Sequence, residues 1–281
     1  MSDVPPLRKS AVIRSVWSHN MEYEFDLIRS IVHVFPIISM DTEFPGVVFR
    51  PYSSGAGSHY ARPADVTAHY NSLKANVDML KMIQLGLTLS DDNGNLPDLG
   101  TEHYFIWEFN FRDFDVANDA HAHDSVELLR RQGTDFEKNR EFGIDSVRFA
   151  ELMMSSGLVL NEEVTWVTFH CAYDFGYLVK CLTGQLLPFK LTDFLSLVRM
   201  FFRERVYDVK HLMRFCAGLY GGLDRASDAL SVNRAIGKSH QAGSDSLLTL
   251  DAWLEVKRRY FGEGDVENYA NVLYGLELES S

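Results

Sequence analysis

Ile37-Ile38-Ser39-Met40-Asp41-Thr42-Glu43-Phe44-Pro45-Gly46 is the stretch on which the fold turns. Its apolar opening suits a buried strand. Side chains on a strand repeat with period two, so Asp41 and Glu43 point to the same face. Two acids side by side repel, and burying them is costly unless a cation or hydrogen-bond donors lie between them. Pro45 and Gly46 break the strand just beyond the pair. The plain alternative is a strand end carrying two solvated acids.

Composition narrows the classes open to such a pair. The chain has 281 residues, 46% hydrophobic and 23% charged, as expected of a soluble globular protein with a sizeable core. Its formal net charge of −12 argues against coating nucleic acid by bulk attraction. An enzyme that meets a polyanion at one local site remains open, since bound divalent cations reverse the local field. The three cysteines, Cys171, Cys181 and Cys216, form no Cys-x-x-Cys pair and suggest reduced thiols. Arg8 and Lys9 are followed by no apolar core of a secretory signal. The run Ile31–Ile38 is too short to span a bilayer. Cytoplasm, nucleus or both is the expected location.

Upstream of the acid pair, residues 1–9 are expected to fray. Val12, Val16, Trp17, Met21, Phe25, Ile28 and Ile31 recur at helical spacing, which predicts one helix of about five to six turns ended by Pro36. Downstream, Gly46-Val47-Val48-Phe49 reads as a short second strand, and residues 53–58 as a flexible glycine–serine loop. A helix is predicted over 65–81. Strands follow at Met82–Leu89 and His103–Phe111, joined through the turn Asp91-Asp92-Asn93-Gly94-Asn95, and form a meander beside the acids. Helices are expected near Ser125–Gln132 and Ser146–Met154. With no repeat or linker, a single domain over 10–276 is expected, flanked by flexible ends at 1–9 and 277–281.

Two further stretches carry chemistry. Val164 to Phe169 is a β-branched and aromatic strand running through His170-Cys171-Ala172 into a helix near Tyr173. Asp174 falls in that helix's first turn, where the helix N-terminus favours negative charge. A dipole-stabilised surface acid would look the same. The last stretch, Gly237-Lys238-Ser239-His240-Gln241-Ala242-Gly243-Ser244-Asp245, leads into a long helix from near Asp245 to Tyr260. His240 and Asp245 are five residues apart and do not share a face of a regular helix at about 100° per residue. A bend at Gly243 would let both face one site. Otherwise His240 is a loop or capping residue.

The order Asp-x-Glu, a later Asp, then His-x4-Asp is that of the His-containing branch of the DEDD exonucleases. Met40–Val48, Asn76-Val77-Asp78, Ile83–Leu87, Phe169-His170, Tyr173–Leu178, Tyr207-Asp208-Val209-Lys210 and His240–Thr249 together resemble the Caf-type (Pop-like) catalytic deadenylase subunit of the CCR–NOT complex. The resemblance runs from about residue 11 to Leu276. It implies an α/β, ribonuclease-H-like exonuclease fold with a central mixed sheet flanked by helices. It also implies 3′-to-5′ removal of messenger poly(A) tails with release of AMP. The implied catalytic residues are Asp41, Glu43, Asp174, His240 and Asp245, the four acids being the metal ligands. Asp41 would bridge two divalent cations, with Glu43 and Asp245 to one side and Asp174 toward the second. The implied partners are RNA, the NOT scaffold subunit and a second deadenylase. Cys171-Ala172 stands where a Ser-Gly pair is frequent in the family, and Pro188-Phe189-Lys190 and Phe202–Val206 are also unusual.

An all-carboxylate set suits hard ions such as Mg²⁺ or Mn²⁺ rather than structural zinc. His240 suits a general base because imidazole titrates near neutral pH. Phe44, beside the acids, is either a stacking platform for the terminal base or a core residue. His121-Ala122-His123-Asp124 has part of a zinc-hydrolase pattern, but no later histidine completes it. Other readings of the whole chain are a scaffold subunit whose catalysis is incidental, and a general single-strand 3′-exonuclease without preference for adenine.

Overall fold

The computed structural model describes residues 10–50, 66–262 and 264–278. In chain order the elements are β1 (Ser10–Val16), α1 (Met21–Ile31), β2 (Ile37–Glu43), α2 (Val66–Met79), β3 (Gln84–Ser90) and β4 (His103–Asn110). Next come α3 (His123–Gln132), α4 (Phe136–Phe142), α5 (Ser146–Ser155), β5 (Thr165–Thr168), α6 (Ala172–Thr183) and α7 (Leu191–Phe202). The chain closes with β6 (Val206–Asp208), α8 (Val209–Leu212), α9 (Leu223–Leu230) and α10 (Ala242–Tyr260).

The six strands form one mixed sheet in the order β1-β4-β3-β2-β5-β6. β2, β3 and β4 are the antiparallel meander, and β1, β5 and β6 add parallel pairings on either side. The acid-bearing strand β2 is therefore central. Alternation along it sorts its side chains between two layers. Met40 and Ile38 join the core built with Phe25, Phe149, Phe175 and Trp166. Ile37 joins the core built with Leu250, Trp253 and Val256 of α10. Ser39 lies on the α10 face too, its hydroxyl donating to the carbonyl of Ser246 at 2.7 Å.

Helix α10 is buried from Ala242 through Leu250 without interruption, as expected of a helix laid across a sheet. Small residues beneath it make this possible. Gly86 on β3 pairs with Asp41 on β2, and a Cβ there would sit 1.9 Å from the carbonyl oxygen of Ala242. Thr88 meets the Ser246 hydroxyl at 2.8 Å, so these two buried hydroxyls pair with each other.

Two sequence expectations fail. The helix expected from Val12 is instead strand β1 followed, after a break, by α1. Asn20 makes the break: its Oδ1 accepts from the Trp17 N–H and its Nδ2 donates to the Ser15 carbonyl. β1 then pairs over its whole length with β4, and β-branched Val12, Ile13 and Val16 suit that role. Gly46–Phe49 is not a strand. The N–H groups of Val48 and Phe49 both donate to the side-chain oxygen of Asn76 on α2, which holds this segment as an irregular turn. The predicted loop at 53–58 lies outside the described residues. All three cysteines are free. No helix among the described residues is long and apolar enough to cross a membrane.

Candidate active site

Asp41 and Glu43 share the α10 face of β2, as period two requires. At their end of the strand α10 begins, and Asp245 lies in its first turn. The bend that brings His240 back is at His240 itself, which adopts φ 59°. Gly243, where the sequence suggested it, is already helical. The His240 N–H donates to Asp245 Oδ2 at 2.8 Å and closes the loop back onto the first turn of the helix. Ligand atoms of Glu43, His240 and Asp245 thereby come within 4.8 Å of one another, the one such group among the described residues. The histidines at 121 and 123 form none. His121 instead meets the carbonyl of Asp119 and packs edge-on to Phe114.

Asp174 approaches from the other layer, on α6. Its Oδ1 accepts from both the N–H (2.8 Å) and the hydroxyl (2.6 Å) of Thr42, the residue between the two strand acids. Thr42 thus links the acid pair to Asp174 through the opposite face of the strand. Asp41 and Asp174 stand outside the compact trio. Both nevertheless act on Glu43 or on each other by charge.

The electrostatics are those of crowded anions. Burial first, then Glu43, Asp245 and Asp174, push the Asp41 carboxyl well above the usual carboxylate range. Burial and the neighbouring acids, Glu108 among them, do the same to Glu43. Burial raises Asp174 to about 6 against the stabilising bonds from Thr42. Asp245 is raised by burial and partly restored by Arg234.

Two residues with no signal in the sequence complete the surroundings. Arg234 places Nη1 2.6 Å from Asp245 Oδ1 and Nη2 2.7 Å from Asp224. The Asp245 contact is thus a direct ion pair to a nearly buried carboxylate. Glu108 on β4 is 4% exposed, and its Oε2 accepts from the Gly243 N–H at 3.2 Å, bracing the start of α10 from below. A strand residue and a loop arginine have no spacing that could reveal either.

Phe44 is half-buried. Its ring stacks on Tyr173 at 5.2 Å between centroids and meets Tyr177 at 5.1 Å. The residues fit a divalent cation. The donors are buried carboxylate oxygens beside one imidazole, and their mutual repulsion is relieved by positive charge between them.

Comparison with known proteins agrees with this geometry. The pattern of the CAF1 family ribonucleases matches residues 16–156. The probable CCR4-associated factor 1 homolog 10 of Arabidopsis thaliana is 54% identical over 270 residues, 96% of this chain and 94% of that one. The poly(A) ribonuclease pop2 of Schizosaccharomyces pombe is 45% identical over 94% of this chain and 75% of its own. Among solved structures, S. pombe Pop2p in its Mg²⁺- and Mn²⁺-bound form superposes with a TM-score of 0.84 at 45% identity, covering 94% of this chain and 99% of that one. CAF1 co-crystallised with the yeast NOT1 MIF4G domain gives 0.74 at 34% identity, covering 98% and 100%.

Proposed function

The chain belongs to the CAF1 ribonuclease family, and on that premise we propose that it is a metal-dependent 3′-to-5′ exoribonuclease that shortens messenger poly(A) tails as a catalytic subunit of a CCR–NOT complex. The observation that carries this reading is the meeting of Glu43, His240 and Asp245 at the end of the Asp41 strand, with Asp174 tied to the same strand through Thr42. Divalent cations, Mg²⁺ or Mn²⁺, supply the positive charge that offsets the extra negative charge a phosphodiester takes up on attack. Pop2p binds both ions. Asp41, Glu43, Asp174 and Asp245 would hold them.

The chain's own groups divide the remaining work. His240 is placed to take the proton from the attacking water as a general base. The water oxygen bonds to phosphorus, the bond to the preceding 3′-oxygen breaks, and AMP leaves a chain with a new 3′-hydroxyl. Arg234 draws Asp245 back toward its charged form and holds it in place, because a guanidinium at 2.6 Å favours the carboxylate. Phe44, stacked on Tyr173, offers an aromatic edge beside the acids for the terminal base.

A NOT-type scaffold and RNA are the partners this reading implies, the first because a CAF1 protein of this fold sits on the yeast NOT1 MIF4G domain. A second deadenylase in the same assembly, residence in cytoplasm and nucleus, and a single catalytic domain over 10–276 belong to the proposal. The test is labelled RNA ending in A20 or U20, with Mg²⁺ or EDTA, resolved on a sequencing gel. A stepwise ladder from the 3′ end of the A20 substrate, absent in EDTA, is expected. Internal cuts in a circular A-rich RNA, or full activity in EDTA, would overturn the reading.

A further inference from the structure

Asp208 ends β6 and is 0% exposed. No Lys, Arg or His nitrogen among the described residues forms an ion pair with it. Hydrogen bonds hold its carboxylate directly, while His170, Lys210 and His211 act on it only by charge at longer range. Oδ1 accepts from the N–H groups of His170 at 2.8 Å and Lys210 at 2.9 Å. Oδ2 accepts from the Cys171 N–H and thiol, each at 3.2 Å, and from the Tyr274 N–H at 3.0 Å. Both oxygens are filled, by donors from three separate stretches of chain.

The first of those stretches leads directly to Asp174. His170 is left-handed at φ 60°, a conformation that costs a non-glycine residue energy and persists only where surroundings enforce it. Cys171 is the N-cap of α6, yet its side chain makes no capping bond to that helix. The thiol points to Asp208 instead. The turn between β5 and α6 is therefore set from the neighbouring strand, and Asp174 is the third residue of the helix this turn launches. The last stretch joins it from the C-terminal side. Asn271 donates its N–H to Val206, Val272 bridges to Tyr207, and Tyr274 completes the row on Asp208.

We propose that Asp208 is a positioning residue for the reaction: it fixes the His170–Cys171 turn that presents Asp174, and makes the segment 271–276 part of that support. The inference rests on the ribonuclease reading in taking Asp174 as a metal ligand. Groups that orient ligands from behind typically carry 10–100-fold in metal affinity or activity.

The experiment compares the parent with Asp208→Asn, which turns one accepting oxygen into a donor facing N–H groups. Mn²⁺ affinity is measured by electron paramagnetic resonance, and kcat, KM for A20 and half-maximal Mg²⁺ by gel assay, well below each Tm. Expected are Mn²⁺ binding and half-maximal Mg²⁺ weakened about tenfold or more, a lower kcat at saturating Mg²⁺, and KM for A20 within about twofold. Tyr274→Pro removes one donor to Asp208 and Tyr274→Ala removes only the ring that packs edge-on to His170 at 5.0 Å, so the difference between the two tests the same support should Asp208→Asn fail to fold. Tyr274→Pro should weaken Mn²⁺ binding in the same direction by a smaller factor, and more than Tyr274→Ala does. A lower Tm with unchanged Mn²⁺ affinity and Mg²⁺ requirement in the variants that fold would reduce Asp208 to a packing role and overturn the inference. If the parent itself leaves A20 intact, the ribonuclease reading fails instead, and the two failures are told apart.

Discussion

At the scale of residues, His240 joins an exposed side chain to a constrained backbone. Its N–H is used by Asp245 while its ring is free to face water. Replacing the ring by Ala should lower turnover about 10²–10⁴-fold, the usual worth of a general base. The N–H bond survives the change, so Tm should move little. Near-parental turnover at neutral pH would return His240 to the class of loop residues. The sequence made Asp41 and Glu43 legible through strand period, and Asp174 and Asp245 through family spacing. It did not show that Thr42, with its side chain on the other face, would receive Asp174. Such a bond depends on where α6 docks, which no local spacing encodes. Arg234 and Glu108 were illegible for the same reason.

At the scale of elements, the site depends on how closely α10 lies on the sheet. A methyl group at Gly86 would overlap the backbone of Ala242 and Gly243, which cannot rotate out of the way as a side chain could. Gly86→Ala should therefore cost about 1–3 kcal/mol of stability. Activity should fall further than stability alone explains, since the displaced end of α10 carries Asp245. Parallel melting and turnover measurements check this. Equal activity at saturating Mg²⁺ would show that α10 tolerates the shift. α2 and β3 could be read from periodicity, and β4 from its β-prone composition. β1 could not, because its spacing also fits a helix and only pairing with β4 decides the matter. Val47–Phe49 reads as a strand by propensity, but the side chain of Asn76 takes the N–H groups that a ladder would use.

For the whole molecule, the crowded acids make stability depend on pH and on metal together. In the unfolded chain such carboxyls titrate near pH 4. In the folded, metal-free protein Asp41, Glu43, Asp174 and Asp245 keep their protons to higher pH, Asp174 to about 6. The folded state then binds more protons across that window, so stability falls as pH rises through it. Acidification in EDTA from pH 7 to pH 5 should raise Tm, each carboxyl contributing up to about 1.4 kcal/mol for every tenfold by which folding weakens it as an acid. Millimolar Mg²⁺ at pH 7 should raise Tm by binding the folded state, and should flatten the acid gain. Asp41→Asn removes one charge at nearly constant shape. It should be inactive, at least as stable as the parent in EDTA, and much less responsive to Mg²⁺. Equal Mg²⁺ effects on Tm in the two proteins would place the ion elsewhere.

The placement of Asp245 on the last long helix, and of His240 in the loop just before it, has a consequence during synthesis. A ribosome extends the chain from the N-terminus, so β2 and α6 emerge while α10 is still being made or is held in the exit tunnel. Such a nascent chain carries Asp41, Glu43 and Asp174 but lacks the helix that completes the group. Asp41, Glu43 and Asp174 can thus be in place on the emerging sheet and α6 before the chain holds the helix end beside them, so assembly of the site waits on α10 settling over Gly86.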